Sequence, residues 1–155
     1  MQETRRDLMK LSGMFALLAS TGLLTAEQAL AQQQGWNKAS FEAKNLSDTV
    51  KALGGSGVAE SKDITINAPE IAENGAVVQV GVTSKLPNTQ AVYILVDKNP
   101  NWLAAGFKFP DGTPADVTTR IKMGQTSNVL ALVKANDKFF VNSKEVKVTL
   151  GGCGG

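Results

Sequence analysis

The chain has 155 residues, with 16 Lys and Arg against 14 Asp and Glu, no histidine and one cysteine. A net charge of +2, with no cluster of basic and aromatic side chains, excludes electrostatic binding of nucleic acid. Without histidine and with one thiol, the usual transition-metal ligand sets, a Ser-His or Cys-His nucleophile pair and an internal disulfide are excluded as well.

The front of the chain has the layout of an export signal. Thr4-Arg5-Arg6-Asp7-Leu8-Met9-Lys10 is a twin-arginine run, with Arg5 and Arg6 followed by an apolar stretch through Leu11, Met14, Phe15, Leu17, Leu18, Leu23 and Leu24. Ala29-Leu30-Ala31 supplies the small-x-small pattern read by signal peptidase, so cleavage is expected between Ala31 and Gln32. Polar breaks at Ser12, Ser20 and Thr21 leave the segment short of the roughly 20 continuous apolar residues that span a bilayer. The expectation is a signal peptide over 1–31 and a single exported domain over 32–155, localised in the periplasm by the twin-arginine pathway. That pathway moves folded proteins, which points to a cytoplasmic cofactor or to a partner carried along. Gly54-Gly55-Ser56-Gly57 lacks the lysine and the spacing of a phosphate loop, so a partner subunit is the better explanation.

Residues 36–53 read as helical, with Asn37 or Ser40 as cap and Phe41, Leu46, Val50 and Leu53 on one face. Asn45-Leu46-Ser47-Asp48 divides the segment into two short helices, with Ser47 or Asp48 capping the second. Gly54-Gly55-Ser56-Gly57 then stops it. From residue 62 the period changes to two. Predicted strands run through Asp63–Ile66, Ala76–Thr83 with Val78, Val80 and Val82 on one face, and Ala91–Val96, an apolar run suited to a buried central strand. Further strands are expected through Leu103, Phe107 and Phe109, at Asp116–Met123 and at Asn128–Lys134. The last two are Phe139–Val141 and Lys144–Leu150. Turns are expected at Ala68-Pro69-Glu70, Glu73-Asn74-Gly75, Leu86-Pro87-Asn88, Pro110–Pro114 and Asn136-Asp137-Lys138. About seven short strands after a helical start read as a mainly β, immunoglobulin-like antiparallel β-sandwich. Trp36 and Trp102 are expected to pack partly buried and Tyr93 to lie in the core. The carboxylates fall at strand ends and turns, so the domain itself is expected to be non-catalytic.

Chemistry is left to Gly151-Gly152-Cys153-Gly154-Gly155. Glycine removes side-chain walls, so the thiol rides on a thin tether, and five residues extend on the order of 15 Å past the last strand. No cation stands beside Cys153 in sequence, so it is a weak nucleophile until another protein supplies a positive field.

The twin-arginine leader, the helical start over Trp36–Gly57, the β-domain and above all the Gly-Gly-Cys-Gly-Gly pentapeptide resemble the SoxY family. This is the sulfur-carrier family of bacterial thiosulfate oxidation. The resemblance implies an immunoglobulin-like subunit in a heterodimer with a SoxZ-like protein, itself non-enzymatic and without a bound cofactor. It makes Cys153 the covalent attachment site, bearing S-thiosulfonate and persulfide adducts, and makes Gly151, Gly152, Gly154 and Gly155 a swinging arm. It also implies transient visits to a SoxAX cytochrome, which couples thiosulfate to the thiol, and to a SoxB hydrolase, which releases sulfate. A sulfane dehydrogenase completes the expected set. Two rivals stand beside this reading. One is a ubiquitin-like sulfur carrier activated at its terminal carboxylate, against which the export signal and strand count both argue. The other is a structural β-sandwich dimerised through a Cys153 intermolecular disulfide.

Overall fold

The computed structural model describes residues 37–150. Two short helices, α1 (Lys38–Glu42) and α2 (Leu46–Ala52), precede nine strands. These are β1 (Val58–Glu60), β2 (Ile64–Asn67), β3 (Ile71–Ala72), β4 (Val78–Ser84), β5 (Thr89–Val96), β6 (Leu103–Lys108), β7 (Asp116–Ile121), β8 (Ser127–Ala135) and β9 (Lys138–Val148). One sheet has the order β1-β9-β8-β5-β6, with β3 also paired to β9; the other has the order β2-β4-β7. Most pairs are antiparallel, but β1 and β3 both run parallel to β9. The mainly β, two-sheet sandwich is the expected class.

Some of the local expectations need correction. The cap of α2 is Asn45, not Ser47 or Asp48: Asn45 is extended and its side-chain oxygen accepts the Asp48 N–H at 2.8 Å. The expected strands Phe139–Val141 and Lys144–Leu150 are one eleven-residue strand ending at Val148. Asn142 and Ser143 stay in the β8–β9 ladder opposite Ala131 and Leu130. The Asn142 amide donates to the carbonyl of Ile64 at 2.7 Å, so a polar residue there ties the large sheet to the small one.

The stop after α2 is a Schellman motif. Gly54 N–H donates to the Lys51 carbonyl at 2.9 Å and Gly55 N–H to the Val50 carbonyl at 2.8 Å, with Gly54 at φ +85°. Gly55 is required for a second reason. A Cβ there would sit 2.5 Å from the Phe139 ring and 2.7 Å from Val50 Cγ1. At the β8–β9 turn, Asn136 and Asp137 both take positive φ, 50° and 59°, matching a two-residue turn of type I′.

The core has two compartments. Between the sheets lie Ile64, Val78, Val80, Val82, Val92, Ile94, Val96, Val129, Val133 and Val146, among others. On the outer face of the large sheet, Val50 with Phe41, Leu46 and Leu53 from the helical segment packs onto Leu95, Leu103, Leu132, Phe139 and Val141. The central strand β5 is therefore covered on both faces, which is why Ala91–Val96 is apolar without alternation. Trp102 borders this second compartment half-buried, as expected, while Tyr93, expected in the core, borders it half-buried as well.

Candidate functional site

Cys153 and the flanking Gly151, Gly152, Gly154 and Gly155 lie outside the described residues. So do Arg5, Arg6, Ala29, Ala31 and Trp36. What the structure describes is the platform from which the cysteine segment leaves, and no local pattern in the sequence marks that platform.

The β8 side of the ladder on β9 stops at Val146, paired with Ser127. The next four residues are held instead by the segment 70–75 and by Thr126. Lys147 N–H donates to the Glu70 carbonyl at 2.9 Å, and Val148 N–H to the Thr126 hydroxyl at 2.9 Å. Thr149 N–H donates to the Ala72 carbonyl at 3.1 Å, and Gly75 N–H to the Leu150 carbonyl at 2.8 Å. The Thr149 hydroxyl also reaches the Glu73 carbonyl at 3.4 Å. The segment 70–75 is in turn fixed to the body, because Met123 N–H donates to the Gly75 carbonyl at 2.7 Å and Ala72 is buried in the core. The chain is thus hydrogen-bonded up to Leu150, three residues before the cysteine. The two-residue strand β3 makes this clamp. Its sequence, Ile71-Ala72 between Glu70 and Glu73, is too short to carry a period, and only its pairing reveals it.

Large apolar side chains are exposed at four described positions: Val58, Ile71, Val77 and Leu150. The last three belong to the clamp or its immediate continuation, since Ile71 pairs with Lys147 and Val77 N–H bonds back to the Asn74 carbonyl.

Elsewhere the described residues offer no catalytic constellation. They contain no group of three or more acidic, histidine or cysteine side chains able to hold a metal. A 530 Å³ groove lined by Leu46, Glu60, Ser61, Lys62, Leu130, Val141, Asn142 and Ser143 holds one carboxylate and one amine but no nucleophile with a base. Asp137 is held below the usual carboxylate range by a hydrogen bond and charge from Lys134, 3.2 Å away, and by Gln90. It is a fully exposed turn residue. Burial against the outer compartment of the core pushes the Tyr93 phenol up.

The family model for the sulfur oxidation protein SoxY matches residues 50–153, a span that runs through the clamp to the cysteine. Among solved structures, the sulfur carrier protein SoxY from Chlorobium limicola f thiosulfatophilum is 36% identical, with a TM-score of 0.62. That match covers 67% of this chain and 96% of the other. Superoxide reductase (neelaredoxin) from Ignicoccus hospitalis is also similar, in two point-substituted forms. One is 24% identical with a TM-score of 0.50, covering 58% of this chain and 82% of that one. The other is 21% identical, also with a TM-score of 0.50, covering 63% of this chain and 86% of that one. At these identities the likeness is one of fold alone. No curated protein matches the chain.

Proposed function

Since this chain belongs to the SoxY family of sulfur oxidation proteins, we propose that it is a sulfur carrier. Cys153 holds thiosulfate-derived sulfur covalently and presents it to separate enzymes. The observation that carries this reading is the placement of the family match: it ends at Cys153, the one thiol of the chain, three residues beyond a backbone pinned at Leu150. A fixed origin followed by glycines gives a short, slim lever. It can enter a narrow pocket while the sandwich stays outside.

The chemistry of such a carrier is simple to balance. The thiol and thiosulfate join through a new S–S bond to give the S-thiosulfonate, releasing one proton and two electrons. The electrons pass to a SoxAX-type cytochrome. Water then splits the terminal S–SO₃ bond at a SoxB-type hydrolase, leaving a Cys153 persulfide and releasing hydrogen sulfate. A sulfane dehydrogenase is the expected consumer of the persulfide. In every step this chain supplies the sulfur atom and its delivery, while the visited enzyme supplies the positive field that makes the thiolate. Residues 1–31 act as a twin-arginine signal that places the carrier in the periplasm together with a SoxZ-like subunit, and 32–155 form the carrier domain.

Intact-mass spectrometry of protein from thiosulfate-grown cells tests the reading. Reductant-removable increments of S–SO₃ and of one sulfur are expected on the wild type and absent from Cys153→Ser. Detection of only free thiol and disulfide dimer would replace the carrier with the structural dimer.

A further inference from the structure

We propose that Ile71, Val77 and Leu150 form an apolar collar around the root of the cysteine segment. The collar docks against an apolar rim at the mouth of the enzyme pocket that Cys153 enters. This rests on the carrier reading above and adds the surface that recognises the visited enzyme.

The argument begins with length. Cys153 is three residues past Leu150, whose carbonyl is tied to Gly75. At 3.3–3.6 Å per residue the cysteine reaches at most about 11 Å beyond that point. A pocket that surrounds the thiol must therefore open within about that distance of Leu150. The surface around Leu150 is then covered whenever the thiol is engaged. Which side chains stand there is not arbitrary. Ile71 is 56% exposed, Val77 57% and Leu150 66%. The fourth exposed apolar residue, Val58, pairs with Phe139 at the other end of β9, eight positions and roughly 26 Å from the Ile71–Lys147 pair.

Single exposed apolar residues are ordinary, whereas several gathered at one place on a surface mark an interaction site. Each member is held in place. Ile71 sits on a strand whose neighbour Ala72 is buried, Val77 follows a turn closed by Asn74, and Leu150 is gripped through its carbonyl. The collar is thus presented by rigid backbone while the cysteine beyond it is borne on glycines, so docking and insertion are separate tasks. The exposed Lys147, Glu70 and Glu73 around it carry both signs of charge, which leaves apolar contact as the feature a partner could read.

The test uses the full-length chain, co-expressed with its companion subunit, and the double variant Ile71→Ser/Val77→Ser, with the SoxAX-type cytochrome and thiosulfate as probe. Cys153 loading is followed by intact mass, and a small aromatic disulfide reagent reports intrinsic thiol reactivity. The expected result is about a tenfold rise in KM for enzymatic loading, with kcat and the small-reagent rate unchanged and an unchanged melting curve. Unchanged enzymatic loading in the folded variant would overturn the proposal. So would a changed small-reagent rate, which would mean that the collar shelters the idle thiol. Loss of the companion subunit from the purified complex, or of a self-dimer, would likewise overturn it by assigning the collar to a different occupant. Failure of the wild type to load at all would refute the carrier reading instead, a result distinguishable from each of these.

Discussion

Replacing Thr149 with proline should loosen the root of the cysteine segment while leaving the sandwich intact. The substitution removes the N–H that bonds the Ala72 carbonyl at 3.1 Å and the hydroxyl that reaches Glu73 at 3.4 Å. Proline favours an extended preceding residue, and Val148 is already in a strand, so no backbone clash is added there. The lost bond is worth about 1 kcal/mol. Because β8 no longer pairs beyond Val146, that cost falls on the clamp rather than on the ladder. About 1 kcal/mol corresponds to a roughly fivefold gain in opening. When the clamp opens, the stretch from the last clamped residue to the thiol lengthens from three residues to five, extending its maximum reach from about 10 to about 17 Å. Effective concentration at a pocket falls roughly as the −3/2 power of tether length, about twofold for this change. Hydrogen exchange at Gly75, whose N–H bonds Leu150, should accelerate about fivefold. Enzymatic loading of Cys153 should slow by up to about twofold. Gly75 exchange identical to the parent would refute the reasoning, because the clamp would then not act as a unit. A global destabilisation above about 3 kcal/mol would also refute it, by making Thr149 part of the ladder.

Gly55→Ala should destabilise the protein by about 1–3 kcal/mol through overpacking against Phe139 and Val50. A denaturant midpoint equal to that of the parent would show that the ring gives way freely. Tyr93 is the single tyrosine, and burial raises its phenol, so absorbance should show it ionising above pH 10.0 in the folded protein and lower once unfolded. Since the folded state binds that proton more tightly, stability should fall as pH rises past the unfolded value. A titration the same in buffer and denaturant would contradict this. Gly152→Val should leave melting unchanged yet slow turnover by the visited enzymes at least tenfold, a cost of about 1.4 kcal/mol in the productive encounter. Full turnover by a valine-bearing tether would show that slimness is not required.

The sandwich was legible where local chemistry and tertiary burial agree. Val78, Val80 and Val82 alternate because one face of β4 meets the core, and Asn136-Asp137 reads as a turn because its backbone needs positive φ. The apolar run Ala91–Val96 marked a strand covered on both sides, although the cover itself, the helical segment over Leu95 and Leu132, was not specified by it. Reading failed where residues serve distant partners. Asn142 looks like a strand end but spends its amide on Ile64, 78 positions away. Asn45 outcompetes Ser47 as a cap because its side chain reaches the Asp48 N–H from an extended backbone. Cys153 stood out by its glycines, but the device that fixes the origin of its segment did not. A two-residue strand paired in parallel across 76 positions leaves no trace in local pattern.

Strand β9 is gripped along its length, by β8 on one edge and by β1 and β3 on the other. A pull directed along the axis of β9 would load these hydrogen bonds side by side in shear, instead of peeling them apart one at a time. In the carrier role proposed above, a tether seized in one pocket and withdrawn for the next would transmit tension at every visit. Such a load along β9 would be shared by the ladders on both of its edges, so a visited enzyme could hold the cargo firmly without unravelling the protein that brought it.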